Sequence, residues 1–105
     1  MVKVSTKNPQ GLLNSIYKAI DSKKIETWTY NSSKDLTHSP TQWKNKAVLR
    51  PSVHQGELRL CIRKYGELEI TDEVYAVYHG RSIEMLISHF EDDFTTAEAT
   101  AKPQS

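Results

Sequence analysis

Four histidines, His38, His54, His79 and His89, and one thiol, Cys61, are the side chains here best suited to moving a proton or holding a metal. Their spacing argues against both roles. No HxxxH or HExxH pattern occurs, and His79 and His89 stand ten residues apart. His89 with Asp92 and Asp93 would make a ligand set only if other groups converged on it. A single cysteine rules out a multi-thiolate metal site and an internal disulfide framework. Cys61 would need a neighbouring base to act as a nucleophile, and no histidine lies beside it in sequence. The acids Glu91-Asp92-Asp93 lack the spacing of a calcium loop. No catalytic residue, metal ligand or cofactor is therefore expected, and the reading leans away from an enzyme.

Two constellations have more content. His79-Gly80-Arg81-Ser82 would form an anion-binding site if a helix began there. The first amides of a helix are unpaired and carry partial positive charge, and an adjacent Arg, Ser and His could complete the cradle. The plainer account has Gly80 making a turn, Ser82 capping the helix and Arg81 solvated. Lys46, Arg50, Arg59 and Arg63 form the second group, with Trp28 and Trp43 as candidate stacking partners. Basic residues among aromatics on a sheet are what single-stranded nucleic acid requires, for phosphate neutralisation and base stacking. Cross-strand ion pairs explain the same residues without a ligand. The aromatic-rich signature of an RNA-recognition sheet is absent.

These residues need elements to position them. Asn8-Pro9 caps and opens a helix over 9–23, whose apolar stripe is Leu12, Leu13, Ile16, Tyr17 and Ile20. Glu26–Tyr30 alternates as a strand. Residues 31–45 show no period, and that length marks either a binding loop or a short element hidden within it. A hairpin turning at Gln55-Gly56, with His54 and Glu57 as its last pair, sets Val53 against Leu58, Pro51 against Leu60 and Leu49 against Ile62, all on the inward side. The other face then sets Arg50 opposite Cys61 and Val48 opposite Arg63. A second hairpin through Lys64-Tyr65-Gly66 would bring Leu68 opposite Ile62 and Ile70 opposite Leu60.

Over 72–90 the apolar residues point in two directions. Val74, Val77 and Tyr78 cluster opposite Ile83, Leu86, Ile87 and Phe90 when placed at 100° per residue. The pattern predicts a break near Gly80, with a strand over 73–78 and a helix from about 81 to 92; a short helix over 72–79 is the alternative. The expectation is one α+β domain over 1–94, an antiparallel meander of about four strands flanked by an N-terminal and a C-terminal helix. The order is α-β-β-β-β-α, with a disordered tail over 95–105.

Composition sets outer bounds. The chain has 105 residues, 37% hydrophobic and 26% charged, enough for one economical core. Residues 1–66 hold twelve Lys/Arg against four Asp/Glu, while 67–105 hold two against nine. Such asymmetry marks a partner face or two halves that neutralise each other on folding. No apolar run approaches the roughly 20 residues of a membrane span, and no signal-like segment opens the chain. A cytoplasmic location and no membrane partner are the simplest expectation.

Two stretches, His38-Ser39-Pro40-Thr41-Gln42-Trp43-Lys44-Asn45-Lys46-Ala47-Val48-Leu49-Arg50-Pro51 and Tyr75-Ala76-Val77-Tyr78-His79-Gly80-Arg81-Ser82-Ile83-Glu84-Met85-Leu86, resemble a family of small uncharacterised bacterial proteins. The resemblance implies a bacterial cytosolic origin and assigns no residue a role. Taken together, the sequence leads to a small non-catalytic binding or protein-interaction domain, working on another protein or on a second copy of itself as a homodimer. A nucleic-acid-associated protein using the basic face is the alternative. A small-anion binder or enzyme centred on His79 and Arg81 is the third reading.

Overall fold

The computed structural model describes residues 1–101. Two helices and six strands follow the order β1 (Val2–Ser5), α1 (Pro9–Asp21), β2 (Trp28–Tyr30), β3 (Leu36–His38), β4 (Val48–His54), β5 (Glu57–Arg63), α2 (Asp72–Phe90) and β6 (Thr96–Ala99). The strands form one antiparallel sheet ordered β2-β3-β4-β5-β1-β6. The α+β class holds; the strand count is larger than expected.

The hairpin register matches residue for residue. His54 opposes Glu57, Val53 Leu58, Pro51 Leu60, Leu49 Ile62, Arg50 Cys61 and Val48 Arg63. Gly56 turns the hairpin at φ +73°, in the left-handed region that glycine enters without steric cost. The face carrying Leu49, Leu58, Leu60 and Ile62 joins Val2, Val4, Leu36 and Trp28 in one core with Leu12, Leu13 and Ile16 of α1 and Val74, Tyr78, Met85 and Leu86 of α2. α1 starts as its sequence dictates: Asn8 Oδ1 accepts from the Gly11 amide at 3.0 Å, and Pro9 occupies the first turn. It ends two residues earlier than expected, where Lys23 turns left-handed and the Lys24 and Ile25 amides both reach the Ala19 carbonyl.

Several expectations fail, each for a physical reason. The second hairpin does not form, although Gly66 is left-handed (φ +59°) as that turn required. β1 pairs with the edge of β5 that residues 67–70 would have used, so both edges of β5 are taken. Residues 64–71 run as a loop, with Leu68 46% exposed and a Lys64–Glu69 ion pair across it. Neither the strand over 73–78 nor the break at Gly80 exists. α2 is continuous, capped by Thr71 Oγ1 accepting from the Val74 amide at 3.1 Å. Its buried stripe runs through Val74, Tyr78, Ser82, Met85, Leu86 and Phe90 with His79 beside it. Ser82 buries its hydroxyl by donating to the His79 carbonyl, whereas Ile87 is 53% exposed. An apolar-only plot therefore saw two faces where there is one. Residues 96–99 are not a tail but the edge strand β6, paired to β1 from Val2↔Ala99 to Ser5↔Thr96. Residues 102–105 lie outside the described residues.

No helix among the described residues is long and apolar enough to cross a membrane.

Candidate functional site

The two constellations singled out by sequence are not assembled as sites. With α2 unbroken, residues 79–82 offer no helix start and hence no unpaired amides. His79 is buried, its Nδ1 2.7 Å from the Tyr75 carbonyl and its Nε2 2.7 Å from the Met1 amine. Burial pushes its pKa down. Arg81 instead faces solvent and pairs with Glu84, one turn on. Gly80 is exposed in mid-helix, and Ser82 is turned inward. The four groups point apart.

Trp28, offered as a stacking residue, is buried in the core against His38 and Tyr78. Trp43 is half-buried and packs on the core, its carbonyl accepting from Tyr78 Oη at 2.5 Å. Lys46 is exposed. Arg50 and Arg59 lie on the sheet face away from the core, but each is engaged by a carboxylate, Asp35 and Glu57. Arg63 donates to the Ile62 carbonyl. Neither tryptophan is thus free to act as a stacking platform beside these basic side chains. Cys61 is buried between them, and Glu91, Asp92 and Asp93 are exposed beyond α2. His38 is also buried, with Nδ1 2.8 Å from the Thr27 carbonyl, and burial lowers its pKa. No group of three or more His, Cys, Asp or Glu converges as a metal site among the described residues.

The feature that sequence reasoning missed lies at the seam between β3 and β4. Hydrogen-bond alternation shows which way the backbone of β4 points. The Thr6 amide donates to the Gly56 carbonyl at 3.1 Å. Counting by twos, Leu58, Leu60 and Ile62 aim their backbone groups at β1, while Glu57, Arg59, Cys61 and Arg63 aim theirs at β4. Their β4 partners His54, Ser52, Arg50 and Val48 answer inward. Leu49, Pro51 and Val53 must then point the other way, toward β3.

β3 meets that edge at a single pair, Leu36↔Leu49. Beyond it the β2–β3 tip is drawn onto α1. Tyr17 Oη donates to the Lys34 carbonyl at 2.6 Å, and Tyr30 Oη donates to Asp21 Oδ1 at 2.6 Å. Lys34 Nζ lies over both rings, 4.9 Å from the centre of Tyr17 and 4.6 Å from that of Tyr30. Lys34 itself is left-handed (φ 68°), and Asn31 Oδ1 accepts the Ser33 and Asp35 amides, so the tip is closed upon itself.

The outcome, among the described residues, is a length of β4 without a neighbour on this edge. Val53 presents a free N–H and C=O, and Pro51 a free C=O; proline is tolerated at this position because its missing N–H would face an unpaired edge. Beside this edge opens a cleft of about 490 Å³, lined by Leu13, Asn14 and Tyr17 of α1, Ser33 to Asp35 of the tip, and Arg50 and Pro51. Arg50 Nε and Nη2 hold the two carboxylate oxygens of buried Asp35 at 3.2 and 3.1 Å, yet the Arg50 side chain is 57% exposed. Val53 is 41% exposed on the core-facing side, past the cover of the helices. The only local signal of this arrangement in the sequence was Pro51 within a strand.

No protein-family model matches the chain, and neither the curated proteins nor the solved structures give a match.

Proposed function

We propose that this chain is a non-catalytic protein-interaction domain that receives an extended segment of a partner protein along the free edge of β4. One observation carries the reading: the backbone groups of Pro51 and Val53 lack a strand partner beside a cleft floored by Leu13 and Tyr17. An exposed edge is a template for another chain, and natural sheets blunt edges they do not use. Pro51 blunts this one only in part, because it removes one donor and leaves two acceptors and the Val53 donor. Main-chain bonds would supply affinity, and the cleft would supply selection among side chains.

Three main-chain hydrogen bonds, each worth about 1 kcal/mol net, correspond to a Kd of only roughly 6 mM, and side chains seated in the cleft must add about 1 to 2.5 kcal/mol for short peptides to reach a Kd on the order of 0.1 to 1 mM. The test is a panel of soluble decapeptides of varied sequence titrated to millimolar concentration against the protein and against a Val53→Pro variant, with amide NMR shifts as the readout. Val53→Pro deletes the one outward donor and no hydrogen bond of the sheet. The reading requires binders on the unmodified protein that are lost on the variant. No shift with any peptide at millimolar concentration, or binding indifferent to Val53→Pro, would refute it.

A further inference from the structure

We infer that the segment accepted by β4 alternates apolar, acidic, apolar, with its carboxylate set against Arg50; this rests on the strand-addition reading and narrows it to one chemistry. Successive side chains of an added strand point to opposite faces of the sheet. The residues aligned with Pro51 and Val53 must share their face, the one on which Leu13 and Tyr17 of α1 lie. Leu13, Tyr17 and the half-buried Pro51 make this side favour an aliphatic side chain, and Lys34 over the Tyr17 ring opposes a basic one.

The residue between them aligns with Ser52 and faces the opposite side, where Arg50, Ser52 and His54 stand in a row on β4. Ser52 and His54 are occupied with each other, Ser52 Oγ lying 2.9 Å from His54 Nε2. Arg50 is the charged group at this position. Its Nε and Nη2 are committed to Asp35, which leaves Nη1 uncommitted to that carboxylate on a side chain that is 57% exposed. A planar guanidinium can serve two carboxylates at once through separate pairs of N–H groups. Asp35, the acid lining the cleft, is buried and paired with Arg50, while Lys34 lies over Tyr17 and Tyr30 on the α1 side. On this face Glu57, opposite His54, is held by Arg59, so a carboxylate arriving here meets the uncommitted side of Arg50, whereas a lysine would meet a like charge.

The test uses the unmodified protein, so no variant need fold. Three acetylated, amidated peptides, Gly-Ser-Val-Glu-Val-Ser-Gly and its Gln and Lys counterparts at the central position, are titrated while amide NMR shifts are followed. The expected order of affinity is Glu above Gln above Lys, with Glu at least about tenfold tighter than Lys at low salt and the gap narrowing by 0.5 M salt. The largest shift should fall on the Val53 amide. Equal affinities of the three peptides, with Val53 still shifting, would overturn the alternation while leaving strand addition standing. No shift at Val53 with any of them would overturn both. A single-stranded oligonucleotide that shifts Arg59 and Arg63 where no peptide shifts Val53 would replace both with the nucleic-acid reading.

Discussion

The two sides of β4 are built from the same strand yet behave oppositely. Toward β5 it is paired over its full length, Val48↔Arg63 through His54↔Glu57, with Leu49, Pro51 and Val53 meeting Ile62, Leu60 and Leu58 on the core face. Toward β3 it holds one pair, Leu36↔Leu49. Backbone chemistry distinguishes the sides at one position only, Pro51, whose missing N–H faces β3. Side-chain tethers account for the rest. A two-residue turn keeps β5 beside β4, while Tyr17 and Tyr30 pull the β2–β3 tip onto α1 and off the edge. Pairing follows wherever side chains leave the strands free to meet, and the open seam is a consequence of what the tip is tied to.

The sharpest way to break this comparison is to truncate one residue on each side. Leu60, fully buried on the closed side, should cost about 2 to 5 kcal/mol as Leu60→Ala. Val53→Ala, at the open edge, should stay within about 0.5 kcal/mol. Urea denaturation of both variants checks the contrast, and similar losses would mean that the edge is covered in solution.

Next in size is the anchor that holds the segment between β3 and β4. Tyr78 Oη donates to the Trp43 carbonyl and lies 3.0 Å from Thr37 Oγ1, which itself donates to the Ala47 carbonyl. Tyr78→Phe leaves the Trp43 carbonyl without this donor and should cost about 1 to 3 kcal/mol by thermal or chemical denaturation. The tether at the open seam is weaker. Tyr17→Phe should cost about 1 kcal/mol and raise hydrogen exchange across residues 31–35, with β4–β5 amides unchanged.

Acid should act on the buried histidines. His38 and His79 both have pKa values lowered from 6.5, chiefly by burial. Below that value the unfolded chain takes up protons that the folded one refuses, so folding stability present above pH 6.5 is lost as pH falls toward the depressed folded values. Denaturation midpoints between pH 7.5 and 5 should therefore drop, and His79→Phe should flatten part of the slope. The smallest effect tests helix continuity. Gly80 has open space where a Cβ would sit, so Gly80→Ala should stabilise by about 0.5 to 1 kcal/mol. A turn at that position would instead be damaged by it.

How legible all this was from sequence differs along the chain. The β4–β5 register was fully readable because apolar alternation and Gly56 agree on it. β1 was readable too, in the Val2, Lys3, Val4, Ser5 alternation, but that segment was weighed only as a targeting signal. β6 was not: Ala97, Glu98 and Ala99 have little strand preference, and the strand forms where β1 offers an edge. α2 misled because its stripe uses Ser82 and His79 while leaving Ile87 in solvent. The cleft joins Leu13 and Tyr17, the 33–35 tip and Arg50 with Pro51, segments brought together only by the tertiary fold.

Native-state hydrogen exchange at β4 tests the central claim most directly. Inward-pointing Arg50 and Ser52 amides should exchange slowly, and the outward Val53 amide fast, in the free protein. Adding the Val-Glu-Val peptide to saturation should slow Val53 alone among them. A Val53 amide already as protected as Ser52, or one whose exchange is unchanged when the peptide is bound, would contradict the account.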